Sequence, residues 1–387
     1  MAIWLLPDNI ADILPRQARS LAEISNAVTG MLERHGFEPV MPPLIEFTDS
    51  LLTGSGSDLD NNTFKFTDRA NGRLLGIRAD ITPQVARIDA HILGRPGVTR
   101  LCYSGFVAHQ RPMHPLASRL PYVAGAELFG ASGAAADEEM MRLAVKSLRV
   151  AGVPRVHLDL GHIGVVRALL EGSGLEGEAM HRLLRALRMK DPVALGEAAA
   201  GLDEETRGAL FTLIECYGPL ERIDELEERL PARPGLREAL EHVRAMAGDC
   251  GADEVSVDFC EVHGYRYLTG ITFAAYAEGL TQPVLRGGRY DDVGSAFGRS
   301  RPAVGFTLYL RDLIALRYHP LPAAVVAPAG DDEDLRDAVE ALRAKGEIVV
   351  QLLPGERAAD LLSSFKLDRA LVREAGQWVL KPADIHQ

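Results

Sequence analysis

The chain reads as an α+β protein: an antiparallel sheet flanked by helices, with a helical insertion and a small α/β unit at its C-terminal end. Three observations predict this. Strand-like runs recur with short connections, at "TRLCYSGFVAH", "LPYVAGAELFG", "EVSVDF", "YLTGITFAAYA" and "AVGFTLYL". Short connections favour antiparallel neighbours, because a parallel pair needs a long crossover. Between residues 162 and 250 the texture turns helical, with few strand formers. After Pro320 and Pro322 the pattern alternates strand, helix and strand over about 65 residues, near the lower limit for independent stability. The expected boundaries are 1–161 and 251–319 for the two parts of the core, 162–250 for the insertion and 320–387 for the last unit.

The elements follow in order. Leu14, Ala18, Leu21, Val28, Met31 and Leu32 recur at helical spacing, and Gly36 can end that helix. "EPVMPPL" reads as a short edge strand, since its prolines cannot donate to a central ladder. Residues 49–62 read as a polar loop. "TFKFTD" and "RLLGIRAD" flank Asn71-Gly72, a strong hairpin turn signal. A helix is expected near 137–151 and a strand at "RVHLDL". The insertion holds six helical segments, from "VVRALLEGSGL" to "GLREALEHVRAMA". Gly287-Gly288, ahead of Arg289-Tyr290-Asp291, reads as a tight turn that lets backbone approach a ligand.

Hydrophobic residues at 47% and charged residues at 25% match a globular protein, and 387 residues exceed one ordinary core. The net charge of -12 argues against a broad nucleic-acid surface, although a local basic groove remains open. "MAIWLLPDNIADILP" has no basic n-region, and Pro7-Asp8 end its apolar run too early for a signal peptide. No segment reads as membrane-spanning. Cys102, Cys216, Cys250 and Cys260 form no CxxC and read as reduced, buried thiols of a cytoplasmic protein. Cys260 and His263 stand three apart, but no second pair joins them, so neither metal nor cofactor is expected.

Four segments, "GFEPVMPPLIEFTDSL", "IRADITPQVAR", "RLCYSGFVAHQRP…YVAGAELFG" and "RGGRYDDVGSAFG…PAVGFTLYL", occur in one order. With the helical insertion they resemble the catalytic core of histidyl-tRNA synthetase over roughly residues 5–315, which implies a class II aminoacyl-tRNA synthetase-like sheet. Synthetases of this kind join ATP to the histidine carboxylate, and arginines neutralise the charge that develops on the phosphate. The resemblance aligns three such arginine segments with this chain. Ala108 holds the first place, in "FVAHQRP", and Asp312 the second, in "YLRD". His263 opens the third segment, "HGYRYL". These three positions read as degenerate catalytic positions, and no catalytic residue is expected.

The amino-acid pocket is better kept. The resemblance makes Asp80 a partner for an α-ammonium, Thr82 a retained hydroxyl, and Glu127 the acceptor of an imidazole N–H. Tyr265 and Tyr267 come from the histidine-specific segment. Arg111 or Arg266 is the expected partner of the carboxylate. Such a set distinguishes histidine from apolar amino acids. Plainer readings stand beside these. Asp80 suits the start of a helix at "TPQVARI". Tyr265, Tyr267 and Tyr276 suit sheet packing, and His109 and His114 read as loop histidines. "ERIDELEERL" reads as a solvated helix face.

A synthetase-like chain that keeps a histidine pocket and loses these cations resembles the regulatory subunits of ATP phosphoribosyltransferase. That resemblance implies no catalysis of its own. It implies assembly with the short-form catalytic subunit, histidine as feedback effector, and a homodimer within a hetero-oligomer. Residues 36–52 are then expected near a two-fold interface. Neither tRNA nor a membrane is an expected partner. The alternatives are an active histidyl-tRNA synthetase, a paralogue that activates another amino acid, and a free-standing histidine sensor.

Overall fold

The computed structural model describes residues 4–53, 57–248, 250–265, 267–315 and 320–383. They form two compact units, a large one of residues 4–13 and 19–315 and a small one of residues 14–18 and 320–383. The strands of the large unit are β1 (Glu38–Pro39), β2 (Ile45–Phe47), β3 (Phe64–Thr67), β4 (Leu74–Ile77), β5 (Thr99–Phe106) and β6 (Tyr122–Phe129). They continue with β7 (Val156–His162), β8 (Gly218–Pro219), β9 (Glu254–Val257), β10 (Ile271–Ala277), β11 (Leu285–Arg289) and β12 (Ala303–Tyr309). Nine of these make one sheet in the order β1-β5-β6-β12-β11-β10-β7-β9-β8, and β2-β4-β3 make a small second sheet. Within the large sheet only β1–β5 and β7–β9 pair in parallel. The edge strand at "EPVMPPL" is limited to two paired residues.

Gly287 and Gly288 are not a turn. They lie inside β11, between β10 and β12. Their smallness answers a crowding that only the folded sheet creates. A Cβ on Gly287 would strike the Phe273 ring, and one on Gly288 would come within 2.8 Å of the Ile271 carbonyl oxygen. Glycine inside a strand permits such close approach.

The helix α1 (Pro15–Arg34) buries Leu21, Ile24, Val28, Met31 and Leu32 on one stripe, the face a 3.6-residue period gives. Leu14 precedes it and is 65% exposed, so it lies off that stripe. The polar stretch 49–62 holds two short helices, α2 (Thr48–Leu51) and α3 (Ser57–Asn62), where the sequence reads as loop. The helix α4 (Thr82–Arg87) runs on into a π-helical turn at Ile88–Leu93. Against one face of the large sheet packs α5 (Ala134–Val150), through Met140, Met141, Ala144 and Leu148.

The insertion is six helices: α6 (Ile163–Leu170), α7 (Gly177–Met189), α8 (Pro192–Ala198), α9 (Glu204–Glu215), α10 (Arg222–Arg229) and α11 (Leu236–Ala247). Their starts are written locally. Asp191 accepts the N–H groups of Val193 and Ala194, with Pro192 in the first turn of α8, and Asp203 accepts the Thr206 N–H of α9. The helix α12 (Leu310–Ala315) follows β12 directly.

The small unit comprises β13 (Ala323–Ala327), α13 (Glu333–Ala344), β14 (Val349–Gln351), β15 (Lys366–Glu374) and β16 (Gln377–Pro382). Its sheet runs β14-β13-β15-β16. Strand β13 sends Val325 and Ala327 into one apolar cluster and Ala324 and Val326 into another, as a central strand covered on both faces must. The tail ends in an antiparallel hairpin of β15 and β16. Ala375 and Gly376, both at positive φ, turn it. Among the described residues no helix is long and apolar enough to cross a membrane.

Candidate functional site

A cavity of about 340 Å³ lies over one face of the large sheet, within the range of small-molecule sites. Its floor follows from strand register. Glu127, Gly305, Gly288, Thr272 and Gly161 stand side by side across β6, β12, β11, β10 and β7. Two residues along each strand, and so on the same face, lie Gly125, Thr307, Arg286, Ala274 and Asp159. The glycines make room for neighbours to lie flat. A Cβ on Gly305 would collide with the Glu127 carboxyl, one on Gly125 with the Tyr103 hydroxyl, and one on Gly161 would sit 2.7 Å from the Asp258 carbonyl oxygen.

Glu127 is the centre of the polar network. It is 1% exposed, with apolar neighbours along β6. Thr82 donates to its Oε1 at 2.8 Å, Tyr103 donates to the same oxygen at 3.1 Å, and Tyr290 donates to Oε2. Thr307 supplies a further hydroxyl 2.8 Å from that of Tyr103. Loss of water pushes the Glu127 carboxyl up to about 8 against these donors, and the nearby Asp80 carboxylate adds to the rise. At neutral pH Glu127 is therefore mostly a neutral acid. It can donate to an imidazole nitrogen, or take that ring's proton and become its counter-ion.

Asp80 both begins a helix and faces the cavity. Its Oδ1 accepts the Thr82 N–H at 3.1 Å at the start of α4, and it lines the cavity. Burial raises its pKa also. Thr82, Tyr265 and Tyr267 line the cavity too. Arg167 of α6 fixes Tyr265, donating to its carbonyl at 3.0 Å with the guanidinium 5.5 Å from the ring centre. Tyr276 packs edge-on to His157 and is outside the cavity lining.

One of the two expected cations stands apart from the cavity. Arg111 is exposed and away from the cavity lining; its backbone N–H bonds Asn62 Oδ1 at 3.1 Å. Arg266 lies outside the described residues. The positively charged residues that do line the cavity include Arg286 of β11 and Arg188 of α7. Of the three degenerate positions, Ala108 is buried and its N–H bonds the Arg78 carbonyl at 2.9 Å. His263 lines the cavity paired to Glu261. Asp312 sits in α12 with its pKa raised by burial, which His114 and Arg311 oppose.

Several residues of the site escaped sequence reasoning: Tyr290, Arg286 and, from the insertion, His181 and Arg188 line the cavity, and Tyr103 bonds the Glu127 carboxyl. His109 lies in the connection after β5, as read from the sequence, but also lines the cavity. It is buried, and its Nε2 bonds the Ala79 carbonyl at 3.0 Å. A carbonyl only accepts, so Nε2 carries the proton and Nδ1 is left as an acceptor. All four cysteines are free and buried, and burial pushes the Cys102 thiol up to about 12. Among the described residues no three His, Cys, Asp or Glu side chains gather as a metal centre would require.

Comparison with known proteins agrees along the whole chain. The family model for histidyl-tRNA synthetase matches residues 9–313, and that for the C-terminal domain of the ATP phosphoribosyltransferase subunit HisZ matches residues 322–381. The ATP phosphoribosyltransferase regulatory subunit of Cupriavidus pinatubonensis is 47% identical over 380 residues, covering 98% of this chain and 99% of that one. The regulatory subunit of Paraburkholderia xenovorans is 46% identical over 385 residues, covering 99% and 100%. The crystal structure of an ATP phosphoribosyltransferase regulatory subunit/histidyl-tRNA synthetase from Bacillus halodurans superposes with a TM-score of 0.80 at 26% identity, over 95% of this chain and 97% of that one. A histidyl-tRNA synthetase from Nostoc shares the fold, with a TM-score of 0.76 at 16% identity over 99% and 98%. The chain belongs to the family of ATP phosphoribosyltransferase regulatory subunits, built on the histidyl-tRNA synthetase fold.

Proposed function

We propose that this chain binds histidine in the cavity over its large sheet and passes that signal to a short-form ATP phosphoribosyltransferase catalytic subunit, without catalysis of its own. The observation that carries the reading is an asymmetry. The end of the cavity fit for an imidazole and an ammonium keeps Glu127, Thr82 and Asp80 together. The positions that hold arginines in the adenylating relatives hold Ala108, His263 and Asp312. Removing one preorganised charge donor costs about 10²–10³ in rate, so three altered positions leave adenylation at background.

The control required is linkage. Histidine must favour one arrangement of the complex over another, and a coupling of about 1–3 kcal/mol suffices. In this reading residues 1–161 and 251–319 form the binding core, 162–250 the insertion and 320–387 the terminal unit. Two copies pair through the 36–52 region within a larger hetero-oligomer. Met41, Leu44 and Ile45, exposed at 93%, 45% and 46%, support that face. The unpaired cysteines fit the reducing cytoplasm, and the net charge of -12 gives tRNA no broad basic surface.

The test is phosphoribosyl transfer by the purified catalytic subunit, measured with and without this chain and with and without histidine. The expected result is a rate that depends on the chain and falls with histidine. A rate indifferent to both removes the proposed role.

A further inference from the structure

We infer that Arg286 anchors the carboxylate of the bound amino acid, an inference that rests on the histidine-site reading above. Its place in the sheet comes first. Glu127 and Arg286 line one cavity from neighbouring rows of the same face, with Gly305, Gly288 and Thr307 between them. Two strand spacings are about 10 Å, and two residues along a strand about 7 Å. Side chains entering from those points across glycines leave a gap the length of a single amino acid. A ligand with its ring against Glu127 extends its far end toward Arg286.

The second observation is an unused donor. Arg286 Nε is buried and has no hydrogen-bond partner among the described residues. The carboxylate beside it, Glu261 Oε1, stands 4.0 Å away, beyond hydrogen-bond reach, and is taken up by the His263 ring. Nε is enclosed by protein, so a ligand carboxylate would meet the terminal amino groups of this cavity-lining guanidinium with its two oxygens. Arg188 is the competing cation. It reaches the cavity from α7 of the insertion and not from the sheet that carries Glu127.

Calorimetry with L-histidine and with histamine, which has the ring and ammonium but no carboxylate, tests this. The wild type should bind histamine roughly 10- to 100-fold more weakly than histidine, the worth of hydrogen bonding to a charged group. Arg286→Gln should lose the same factor for histidine and leave histamine binding unchanged. Arg286→Lys should fall between, and Arg188→Gln should keep the preference. If Arg286→Gln does not fold, the wild-type preference and the Arg286→Lys affinities decide. Equal affinities of the wild type for both ligands overturn the assignment. So does an Arg286 variant that binds histidine normally or weakens both ligands alike, or loss of the preference in Arg188→Gln. Those results leave histidine binding itself standing. No wild-type binding of histidine brings down the site reading and this inference together.

Discussion

Replacing Glu127 by Gln should flatten the pH dependence of stability of the large unit. In the folded chain burial raises this carboxyl from 4.5 to about 8, while in the unfolded chain it returns to its ordinary value. Below pH 4.5 both states hold the proton and the folded state carries no penalty. Between 4.5 and about 8 only the unfolded state releases it, so stability falls as pH rises, by up to 1.4 kcal/mol per pH unit. Above about 8 both states are ionised and the loss levels off. The full shift corresponds to about 5 kcal/mol. Relaxation of the surroundings around the anion reduces it, and about 2 kcal/mol or more should remain. Gln cannot ionise, and any constant cost of its amide leaves the slope untouched. Urea unfolding of wild type and Glu127→Gln from pH 5 to 9, followed by tyrosine fluorescence, measures the difference. Curves that stay parallel over that range refute the buried, protonated carboxyl.

The same proton sets ligand binding. With one proton shared between Glu127 and the imidazole, histidine affinity should be flat between the ring's ordinary value, about 6.5, and about 8, and fall on both sides; calorimetry across pH 5.5 to 9 checks this. Gly305→Ala puts a methyl onto the Glu127 carboxyl. It should abolish histidine binding and destabilise by about 1–3 kcal/mol, read by titration and by urea midpoint. Arg289 meets Asp137 at 2.7 Å, and both are buried. Arg289→Ala strands that carboxylate and should cost about 3–5 kcal/mol in chemical unfolding, while the double variant with Asp137→Ala should recover part of the loss.

Much of the fold was legible because its signals are local. The six insertion helices announce themselves by spacing and by caps such as Asp191 and Asp203, and the hairpin at Asn71-Gly72 by its turn residues. Strand β11 was hidden. Gly287-Gly288 has the composition of a turn, whereas its cause is the Phe273 ring and the Ile271 carbonyl on a neighbouring strand. The site divides in the same way. Glu127 was legible as a lone carboxyl in an apolar strand that needs a partner. Tyr103 and Tyr290 were not, since they reach Glu127 across 24 and 163 residues of chain through strand register. Arg286 was passed over for the glycines beside it, and Arg111, chosen for its closeness to a motif, is not among the residues that line the cavity. Adjacency along the chain was a poor guide to which cation enters a cavity floored by five strands.

The central claim, a retained histidine pocket without adenylation chemistry, is tested most directly by calorimetry of the purified chain with histidine and with ATP in separate titrations. The account predicts saturable heat from histidine and none from ATP. Heat from ATP together with an aminoacyl-adenylate product, or no heat from histidine, would contradict it.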